Sequence, residues 1–365
     1  MTEYAVVVIG AGPDPANPTV DGFAMGYRHA EAFENDPRCS VVGVADVVPE
    51  HAAAFAEAFD LPDDAVYEEY ERLLADLEPD IATVAVPPAV HHEVVVGCAR
   101  GGHVDAVHCE KPMATNWSDA QSMVQECWRA DVQLTFNRQR RFAKPFTAAK
   151  RLLDDGAVGD LRRVEITWGD FYDTGAHTVD LAGMFVDERR AEWVLAALDY
   201  REEDVRFGTH QENQMWAQWR YDDGVYGVLS GGAGDDFADA AFVVRGDRGE
   251  IRVDVDDGPM LEVVRGDERE TVDVDGETMH RAGDETDRYG SRFQDRAAAA
   301  VVDGLAEGHD PVLSGRIGLN TAEILFAGYE SVRRNARVDL PAEVAGHPLE
   351  EMVESGRLTP SPAEE

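Results

Sequence analysis

Short apolar runs alternate with amphipathic stretches along the first part of the chain. Each run predicts a buried strand of a parallel sheet, at residues 4–9, 41–46, 81–86, 105–110 and 133–136. Between the runs, helical periodicity covers residues 26–35, 49–59, 67–76, 89–101 and 116–130. Because strands and helices alternate, we expect an α/β domain with a doubly wound parallel sheet over residues 1–138.

The pattern changes after residue 138. A predicted helix at 145–154 is followed by segments of period-two alternation, separated by Gly and Asp-Gly turns, which indicate antiparallel pairing. These predicted strands cover residues 161–168, 192–200, 212–221, 224–230, 239–245, 249–255 and 260–264. We therefore expect a second, α+β domain over 139–340 with an open, largely antiparallel sheet.

Two later helices, at about 287–307 and 315–335, either cover one face of that sheet or return to the first domain. The other sheet face is then available for a subunit interface. Residues 341–365 are rich in Pro and Glu without periodicity, so we expect a loosely held C-terminal tail.

The net charge of the chain excludes some classes of binding partner. The 365 residues include 33 basic and 72 acidic side chains, a net charge of -39, and such a surface repels nucleic acids and anionic membranes. The acidity is typical of solubility in a high-salt, halophilic cytoplasm, where salt screens self-repulsion. No apolar run approaches the ~20 residues of a membrane span, and no signal segment precedes the first strand, so a cytoplasmic location is expected.

The cysteines exclude two kinds of site. Their spacing matches neither a disulfide framework nor a zinc site, so no metal is expected and the thiols are predicted to be buried: Cys39, Cys98, Cys109 and Cys127.

A glycine turn follows the first predicted strand. Gly10 permits a tight turn, and Gly12 lets the backbone approach a pyrophosphate at a helix N-terminus. The third glycine of the usual fingerprint is displaced to Gly26, and the Pro-rich residues 13–25 are expected to loop out beside the phosphates. This strand-turn-helix context predicts a Rossmann domain that binds a dinucleotide.

Asp46 ends the second predicted strand, where a carboxylate accepts hydrogen bonds from the adenosine ribose of NAD. The same carboxylate repels the 2′-phosphate of NADP. NAD is therefore favoured, and NADP stays possible because Arg28 is a basic residue near the displaced loop.

Two segments carry candidate chemistry. Lys111 follows the fifth strand in a chain with only three lysines, and Pro112 restricts its backbone at the edge where such sheets bind ligands. In the second domain, Asp173 and His177 lie four residues apart, on one face if a helix begins there, and histidine exchanges protons near neutral pH. The alternatives are a surface ion pair with Glu110, a structural histidine, and an Asp173 that only caps the helix.

Residues 137–142, NRQRRF, form the most basic stretch of the chain. They either bind an anionic substrate, such as a sugar acid or phosphate, or form a salt-bridge network. Asn137, Arg140 and Tyr172 are candidate substrate contacts.

Together these segments resemble the Gfo/Idh/MocA family of oxidoreductases. The resemblance rests on motifs spread over most of the chain: Gly10-Ala11-Gly12, Gly26-Tyr27-Arg28-His29-Ala30, Asp46, Val86-Pro87-Pro88 with His91, Glu110-Lys111-Pro112, Arg140-Arg141-Phe142, and Asp173 with His177 and Asp180. It implies a homo-oligomer, dimer or tetramer, formed through the C-terminal sheet, and Lys111, Asp173 and His177 as the active site. It also implies residues that contact or frame the cofactor: Pro87, Pro88, His91, Glu110 and Arg141. The phosphate-loop insertion and a short segment before Asp173 depart from the family, so substrate identity does not transfer.

We predict an NAD(P)-dependent oxidoreductase that transfers a hydride between nicotinamide and a carbinol or carbonyl of a sugar, sugar acid or cyclitol. His177 takes the hydroxyl proton, Lys111 stabilises the alkoxide, and Asp173 orients the substrate or His177. The hypothesis requires Lys111 and His177 to face one dinucleotide. Two alternatives stay open: an NAD-dependent glycoside hydrolase or lyase that uses transient oxidation, and a non-catalytic nucleotide sensor.

Overall fold

The computed structural model describes residues 4–16, 24–234, 237–279, 288–289 and 292–362. The chain folds into two compact units. The first unit comprises Met1–Ala114, Asp119–Gln139 and Glu285–Gly318, and the second comprises Thr115–Ser118, Arg140–Asp284 and Leu319–Glu365.

The first unit contains a parallel sheet, as predicted, and the sheet has six strands instead of the five expected. Its strands are Tyr4–Ile9 (β1), Cys39–Ala45 (β2), Val66–Tyr67 (β3), Ile81–Val84 (β4), Ala106–Cys109 (β5) and Gln133–Phe136 (β6). The helices are Met25–Glu34 (α1), Pro49–Ala58 (α2), Tyr70–Leu77 (α3), Pro88–Gly101 (α4), Trp117–Ala130 (α5) and Arg292–Glu307 (α8), with a 3-10 turn at Asp63–Ala65.

The strand order β3-β2-β1-β4-β5-β6 decides where this unit binds a ligand. The order reverses between β1 and β4, and doubly wound sheets bind ligands outside the carboxyl ends of the strands at such a point. The sheet is a rigid base for this edge, because Val6, Val7 and Val8 of the central β1 are completely buried.

One prediction in this unit was wrong at its boundary. Residue 67 was expected to begin a helix, but Val66–Tyr67 forms the edge strand β3 and the helix begins at Tyr70. A two-residue strand is too short to show a period in the sequence.

The second unit is built on a nine-stranded sheet in the order β16-β15-β14-β13-β7-β12-β11-β8-β17. Its strands are Leu161–Ile166 (β7), Ala191–Asp199 (β8), Gln214–Tyr221 (β11), Tyr226–Gly232 (β12), Ala240–Gly246 (β13), Glu250–Val255 (β14), Leu261–Arg265 (β15), Glu268–Thr271 (β16) and Val338–Asp339 (β17). The short strands Val205–Arg206 (β9) and Thr209–His210 (β10) form a separate ribbon. Only β7 and β12 pair in parallel in this sheet, within the described residues, so the largely antiparallel prediction is confirmed.

Helices cover one face of this sheet. They are Lys144–Asp154 (α6), Gly175–Phe185 (α7) and Gly315–Arg334 (α9), followed by Pro348–Glu354 (α10) near the C-terminus; a 3-10 turn at Gln139–Phe142 precedes α6. Phe146 of α6 packs edge-on against Phe242 of β13, and the hydroxyl of Ser331 on α9 accepts a hydrogen bond from the Ala196 amide of β8.

Among the described residues, the opposite face of the sheet is open and has two chemically different halves. The half on β8 and β11, called the apolar half, carries Leu195, which is 45% exposed, and Trp216, which is 43% exposed and packs edge-on against Phe237. Across β7 and β13–β16, buried carboxylates pair with arginines in a ladder: Glu165, Glu250 and Glu262 with Arg163, Arg245, Arg252 and Arg269. The carboxylates of the charged half are therefore paired within the chain, whereas Leu195 and Trp216 of the apolar half stay partly exposed among the described residues.

The structure decides between the two placements considered for the late helices. Helix α8 packs against α1 in the first unit, where Asp295 accepts a hydrogen bond from Asn35 and Asp303 pairs with Arg38. Most of α9 belongs to the second unit.

The C-terminal segment corrects a further expectation, because it is not loosely held. Leu349 and Met352 of α10 are buried, and Ser361 exchanges backbone hydrogen bonds with Arg201 and Glu203. The helix spans only seven residues, Pro348–Glu354, and so provides too few positions for a helical period to appear in the sequence.

Candidate functional site

The glycine turn after β1 has the geometry that a dinucleotide phosphate requires. Gly10 and Gly12 adopt positive φ angles of 88° and 73°, which favour glycine. A Cβ atom on Gly26 would lie 2.5 Å from the Gly10 carbonyl oxygen, so only glycine allows α1 to approach this turn so closely. Around Gly12 the nearest such contact is Ala24 Cα at 3.8 Å, which leaves room beside its backbone. The turn therefore fits a pyrophosphate. Residues 17–23 of the inserted loop lie outside the described residues.

Asp46 lies directly beside this turn. Its Oδ2 accepts a hydrogen bond of 3.0 Å from the Gly12 amide, and its Oδ1 accepts one of 2.9 Å from the Val48 amide. The carboxylate is 9% exposed. It thus stands at the carboxyl end of β2, next to the phosphate turn, as binding of an adenosine ribose requires.

His91 joins two neighbouring turns at the same sheet edge. Its Nδ1 lies 2.9 Å from the Pro112 carbonyl oxygen and its Nε2 lies 2.8 Å from the Val86 carbonyl oxygen. The ring is fully buried, and burial lowers the pKa of His91. The histidine therefore supports the turns rather than meeting solvent. Pro87 is exposed at the N-cap of α4, and Pro88 is buried at its first position.

Glu110 is held inside the first unit, immediately before Lys111. Its Oε1 lies 2.7 Å from His29 Nε2 and accepts a hydrogen bond of 2.6 Å from the Asn137 amide, while its Oε2 accepts one of 3.0 Å from the Lys111 backbone N–H. Burial by itself raises the pKa of Glu110, but the hydrogen bond and charge of His29, with Lys111 and Asn137, lower it to about 2. Glu110 is therefore ionised near neutral pH, and it is not a surface partner of the lysine.

Lys111 itself is half-buried at the carboxyl end of β5. Asn137 follows β6 and is completely buried, with its amide nitrogen also 3.3 Å from Gln294 Oε1. The backbone N–H of Lys111 and the side-chain amide of Asn137 thus donate to the same carboxylate, that of Glu110.

The Asp173 and His177 pair lies at the start of α7 in the second unit. The helix begins at Gly175, and the Ala176 amide already donates to the Tyr172 carbonyl, so a helical turn leads into it. Asp173 is half-buried, and His177 is 3% exposed.

Asp170 is a capping carboxylate of this turn. Asp170 Oδ1 accepts hydrogen bonds from the amides of Asp173 (2.6 Å) and Thr174 (3.0 Å), and its Oδ2 accepts one from the Thr174 hydroxyl (2.8 Å). The alternative in which Asp173 also caps the helix stays a prediction.

The same unit holds the other substrate candidates. The Arg140 guanidinium stacks over the Trp168 ring, 4.2 Å from its centre. Burial lowers the pKa of Arg140 to about 10, although the charges of Asp173 and Asp170 act to raise it. Tyr172 is 2% exposed, and burial raises the pKa of its phenol. Its ring packs edge-on against His347 at the N-cap of α10, so the C-terminal segment supports this loop.

Arg141 forms a buried ion-pair network within the second unit. Its Nε lies 2.5 Å from Asp180 Oδ2 and its Nη2 lies 2.6 Å from Glu188 Oε1. Burial lowers the pKa of Arg141, but the two carboxylates raise it above its usual range. The basic stretch thus divides into an Arg141 that joins a salt-bridge network and an Arg140 that stacks on an aromatic ring.

Two kinds of feature are absent from the described residues. These residues contain no group of three or more His, Cys, Asp or Glu side chains arranged to hold a metal ion. No helix among them is long and apolar enough to cross a membrane. The four cysteines are buried free thiols.

Comparison with known proteins decides the family. The Gfo/Idh/MocA family model described as an oxidoreductase family with an NAD-binding Rossmann fold matches residues 16–138, and the family's C-terminal alpha/beta domain matches residues 162–340. The chain belongs to the Gfo/Idh/MocA oxidoreductase family. Its first unit is an NAD-binding Rossmann domain, which confirms the predicted cofactor.

Individual relatives are distant but extend over nearly the whole chain. D-apiose dehydrogenase from Rhizobium rhizogenes is 23% identical over 377 residues, covering 94% of this chain and 99% of the relative. Myo-inositol 2-dehydrogenase from Thermotoga maritima is 23% identical over 345 residues, covering 88% and 97%. A solved oxidoreductase from Agrobacterium radiobacter, in complex with NAD+, L-tartaric acid and magnesium, has a TM-score of 0.73 and 21% identity, covering 93% of this chain and 98% of that chain. Both of these curated relatives are named as dehydrogenases, which does not favour glycoside cleavage or nucleotide sensing.

Sequence reasoning missed three residues that organise these sites: His29, Asp170 and Glu212. His29 carried a signal, because it lies three positions after Gly26 and therefore on the sheet-facing side of α1. Glu212 is 4% exposed, accepts a hydrogen bond of 2.6 Å from the Phe171 amide, and carried no local signal.

Proposed function

We propose that this protein is an NAD-dependent dehydrogenase that oxidises a hydroxyl of a sugar, sugar acid or cyclitol to the carbonyl, or reduces that carbonyl. One observation carries the proposal: the glycine turn, Asp46 and Lys111 all follow strands at the carboxyl edge of one NAD-binding sheet. The substrate class is supported by relatives named for apiose and myo-inositol. NAD is the proposed cofactor, since Asp46 opposes a 2′-phosphate.

We propose Lys111, Asp173 and His177 as the catalytic residues. When bound, NAD+ provides the acceptor for a hydride. His177 takes the substrate's hydroxyl proton as the C–H electron pair leaves with the hydride, and a C=O bond forms between the same carbon and oxygen. The Lys111 ammonium stabilises the negative charge that develops on this oxygen, and Asp173 orients the hydroxyl or His177. The reverse steps reduce the carbonyl.

The remaining site residues take supporting roles in this proposal. Arg140 and Tyr172 contact the substrate, and Trp168 fixes the plane of the Arg140 guanidinium. Asn137 was a candidate substrate contact. We propose instead that it holds Glu110, because its side-chain nitrogen donates to that carboxylate. The cofactor frame consists of Gly10, Gly12, Gly26, Asp46, Pro87, Pro88, His91, Glu110 and Arg141.

We further propose that the apolar half of the open sheet face binds a second copy of this chain. Leu195 and Trp216 are large, exposed and adjacent to a charged half that is already paired within the chain. A dimer, or a tetramer built from it, would bury them. We also propose a cytoplasmic enzyme adapted to high salt, in keeping with the net charge of -39.

The test is a screen of NAD and NADP reduction against sugars, sugar acids and cyclitols in concentrated KCl, followed by Lys111→Met. We expect Lys111→Met to lower kcat at least about 100-fold while NAD binding, measured by calorimetry, stays nearly unchanged. Lys150→Met is the matched control, because Lys150 pairs with Asp154 and Asp187 on the surface. An active Lys111→Met enzyme, or a protein that binds no dinucleotide, would refute the proposal.

A further inference from the structure

A polar cluster is buried beneath the carboxyl edge of the first unit's sheet. His29 of α1 and Thr83 of β4 are completely buried, and His29 Nδ1 lies 2.5 Å from Thr83 Oγ1. On the other side of the ring, His29 Nε2 lies 2.7 Å from Glu110 Oε1. Burying a polar group in such a core costs free energy unless its hydrogen bonds are made. A buried histidine at this place therefore indicates a specific role.

Both ring nitrogens of His29 have close polar neighbours. Thr83 Oγ1 also lies 3.3 Å from the His108 carbonyl oxygen, and only the hydroxyl proton can bridge those two oxygens. The hydroxyl therefore accepts from His29 Nδ1–H. His29 Nε2 lies 2.7 Å from Glu110 Oε1 and 3.0 Å from the side-chain nitrogen of Asn137. His29, Glu110 and Asn137 thus form one buried hydrogen-bonded cluster.

The neighbouring titratable groups do not compete with this pair. Burial, and then the charge of His29, lower the pKa of His108 on β5 to about 3, so His108 is neutral. Burial and Glu110 raise the pKa of the Cys109 thiol well above its usual range. Lys111, like His29, lowers the pKa of Glu110 by its charge.

The contact between His29 and Glu110 is connected directly to the backbone of Lys111. Glu110 Oε2 accepts from the Lys111 N–H at 3.0 Å, while Oε1 is held by His29 and Asn137. His29 also lies on α1, three residues after Gly26, which packs on the phosphate turn. One buried contact thus links the helix beside the phosphate turn to the peptide that carries Lys111.

We propose that His29 is a positioning residue for hydride transfer: its buried hydrogen bond with Glu110, supported by Asn137, fixes the backbone from which Lys111 reaches the substrate. The inference rests on the proposed function, in which Lys111 acts on the substrate oxygen. His29 itself contacts neither substrate nor cofactor in this account, and its effect passes through Glu110.

The test compares His29→Gln with His108→Gln. His108 is also a buried core imidazole, but it bonds to Thr135 Oγ1 rather than to Glu110. We expect His29→Gln to lower kcat about 10- to 100-fold, with a smaller change in the KM for NAD, because misplacing a catalytic group affects turnover first. His108→Gln should change kcat far less.

The pH profile separates positioning from a merely structural role. Without the charge of His29, burial dominates and the pKa of Glu110 rises, so the carboxylate becomes protonated and the acid limb of kcat moves to higher pH. A His29→Gln enzyme that is less stable but keeps the wild-type pH profile would overturn the inference. So would an equal loss of kcat in His108→Gln.

A second variant tests the inference even if His29→Gln folds poorly. Glu110→Gln keeps the shape of the side chain without its charge, and we expect a similar loss of kcat with no shifted acid limb. The double variant should then lose no more activity than Glu110→Gln alone. Additive losses would overturn the inference.

The two proposals fail in different ways. If Lys111→Met remains active, the proposed function fails. If Lys111→Met is inactive while both His29→Gln and Glu110→Gln retain wild-type kcat, the positioning inference alone fails.

Discussion

The Gly12 amide donates a hydrogen bond of 3.0 Å to the Asp46 carboxylate, which links the phosphate turn after β1 to the end of β2. Asp46 thus has two functions that can be separated: it accepts hydrogen bonds that shape the turn, and it carries a negative charge. Only the charge opposes the 2′-phosphate of NADP.

Replacing Asp46 with Asn keeps an acceptor oxygen and removes the charge. We expect the ratio of kcat/KM for NADP to that for NAD to rise about tenfold or more, since 1.4 kcal/mol of lost repulsion corresponds to a factor of ten. Steady-state kinetics with both cofactors measures the ratio. The exposed Glu50→Gln on α2 is the control. An unchanged ratio in Asp46→Asn would contradict this role.

Gly26→Ala tests the close packing of α1 on the phosphate turn. The new Cβ would lie 2.5 Å from the Gly10 carbonyl and 2.8 Å from the Ala11 carbonyl, so backbone must move. We expect a loss of about 1–3 kcal/mol in the free energy of unfolding and at least about tenfold weaker NAD binding. Gly101→Ala in α4, whose nearest contact is 3.4 Å away, should preserve both quantities. Normal NAD affinity in Gly26→Ala would show that the turn does not bind the phosphates.

Glu212 predicts a pH dependence of stability in the second unit. Burial, and then the charge of Asp170, raise the pKa of Glu212 from 4.5 to about 7. A raised carboxyl pKa means that the folded state holds more protons between these values, so this group's contribution to stability falls as pH rises from about 4.5 to 7. Glu212→Gln removes that dependence.

Urea unfolding at pH 5 and pH 8 measures the effect. Relative to wild type, Glu212→Gln should gain about 1–3 kcal/mol between the two pH values. The exposed Glu268→Gln on β16 is the control and should give a curve parallel to wild type. A parallel curve for Glu212→Gln would mean that its carboxyl titrates normally.

Trp216→Glu combined with Leu195→Glu tests the apolar half of the open sheet face. We expect sedimentation in high salt to show an oligomer for wild type and a monomer for the double variant, because two charges cannot be buried unpaired at an interface. Val312→Glu adds a charge at another exposed apolar position in the first unit and should leave the mass unchanged. A monomeric wild type would exclude the interface.

The acidic surface predicts a dependence on salt. Lowering KCl from multimolar to about 0.1 M extends the Debye length from about 3 Å or less to about 10 Å and increases self-repulsion, so Tm should fall. Thermal unfolding over a KCl series measures this. Sorbitol at matched osmolality is the control, since it does not screen charge. A constant Tm would refute halophilic adaptation.

The sequence was most informative where its signals are local. Buried parallel strands appear as continuous apolar runs, so β1, β4 and β6 were located closely, and the turn at Gly10 and Gly12 follows from strand and glycine order alone. Gly26 was identified as the third glycine despite the insertion, because a helix follows it as in the usual strand-turn-helix motif. Edge strand β3 and the short α10 were missed, since neither is long enough to define a period.

What the sequence by itself determined is the family, the two kinds of sheet, and the residues that follow the strands of the first one. Tertiary structure decided how those residues are used: His29, Glu110 and Asn137 meet in one buried cluster, Asp170 accepts hydrogen bonds from the turn that contains Asp173, and α8 returns to α1. The physical reason is that strand and helix periods are set by neighbours in the chain, whereas a buried charge depends on partners that are distant in sequence. For His29 and Glu110 that separation is 81 residues, and only folding makes them a pair.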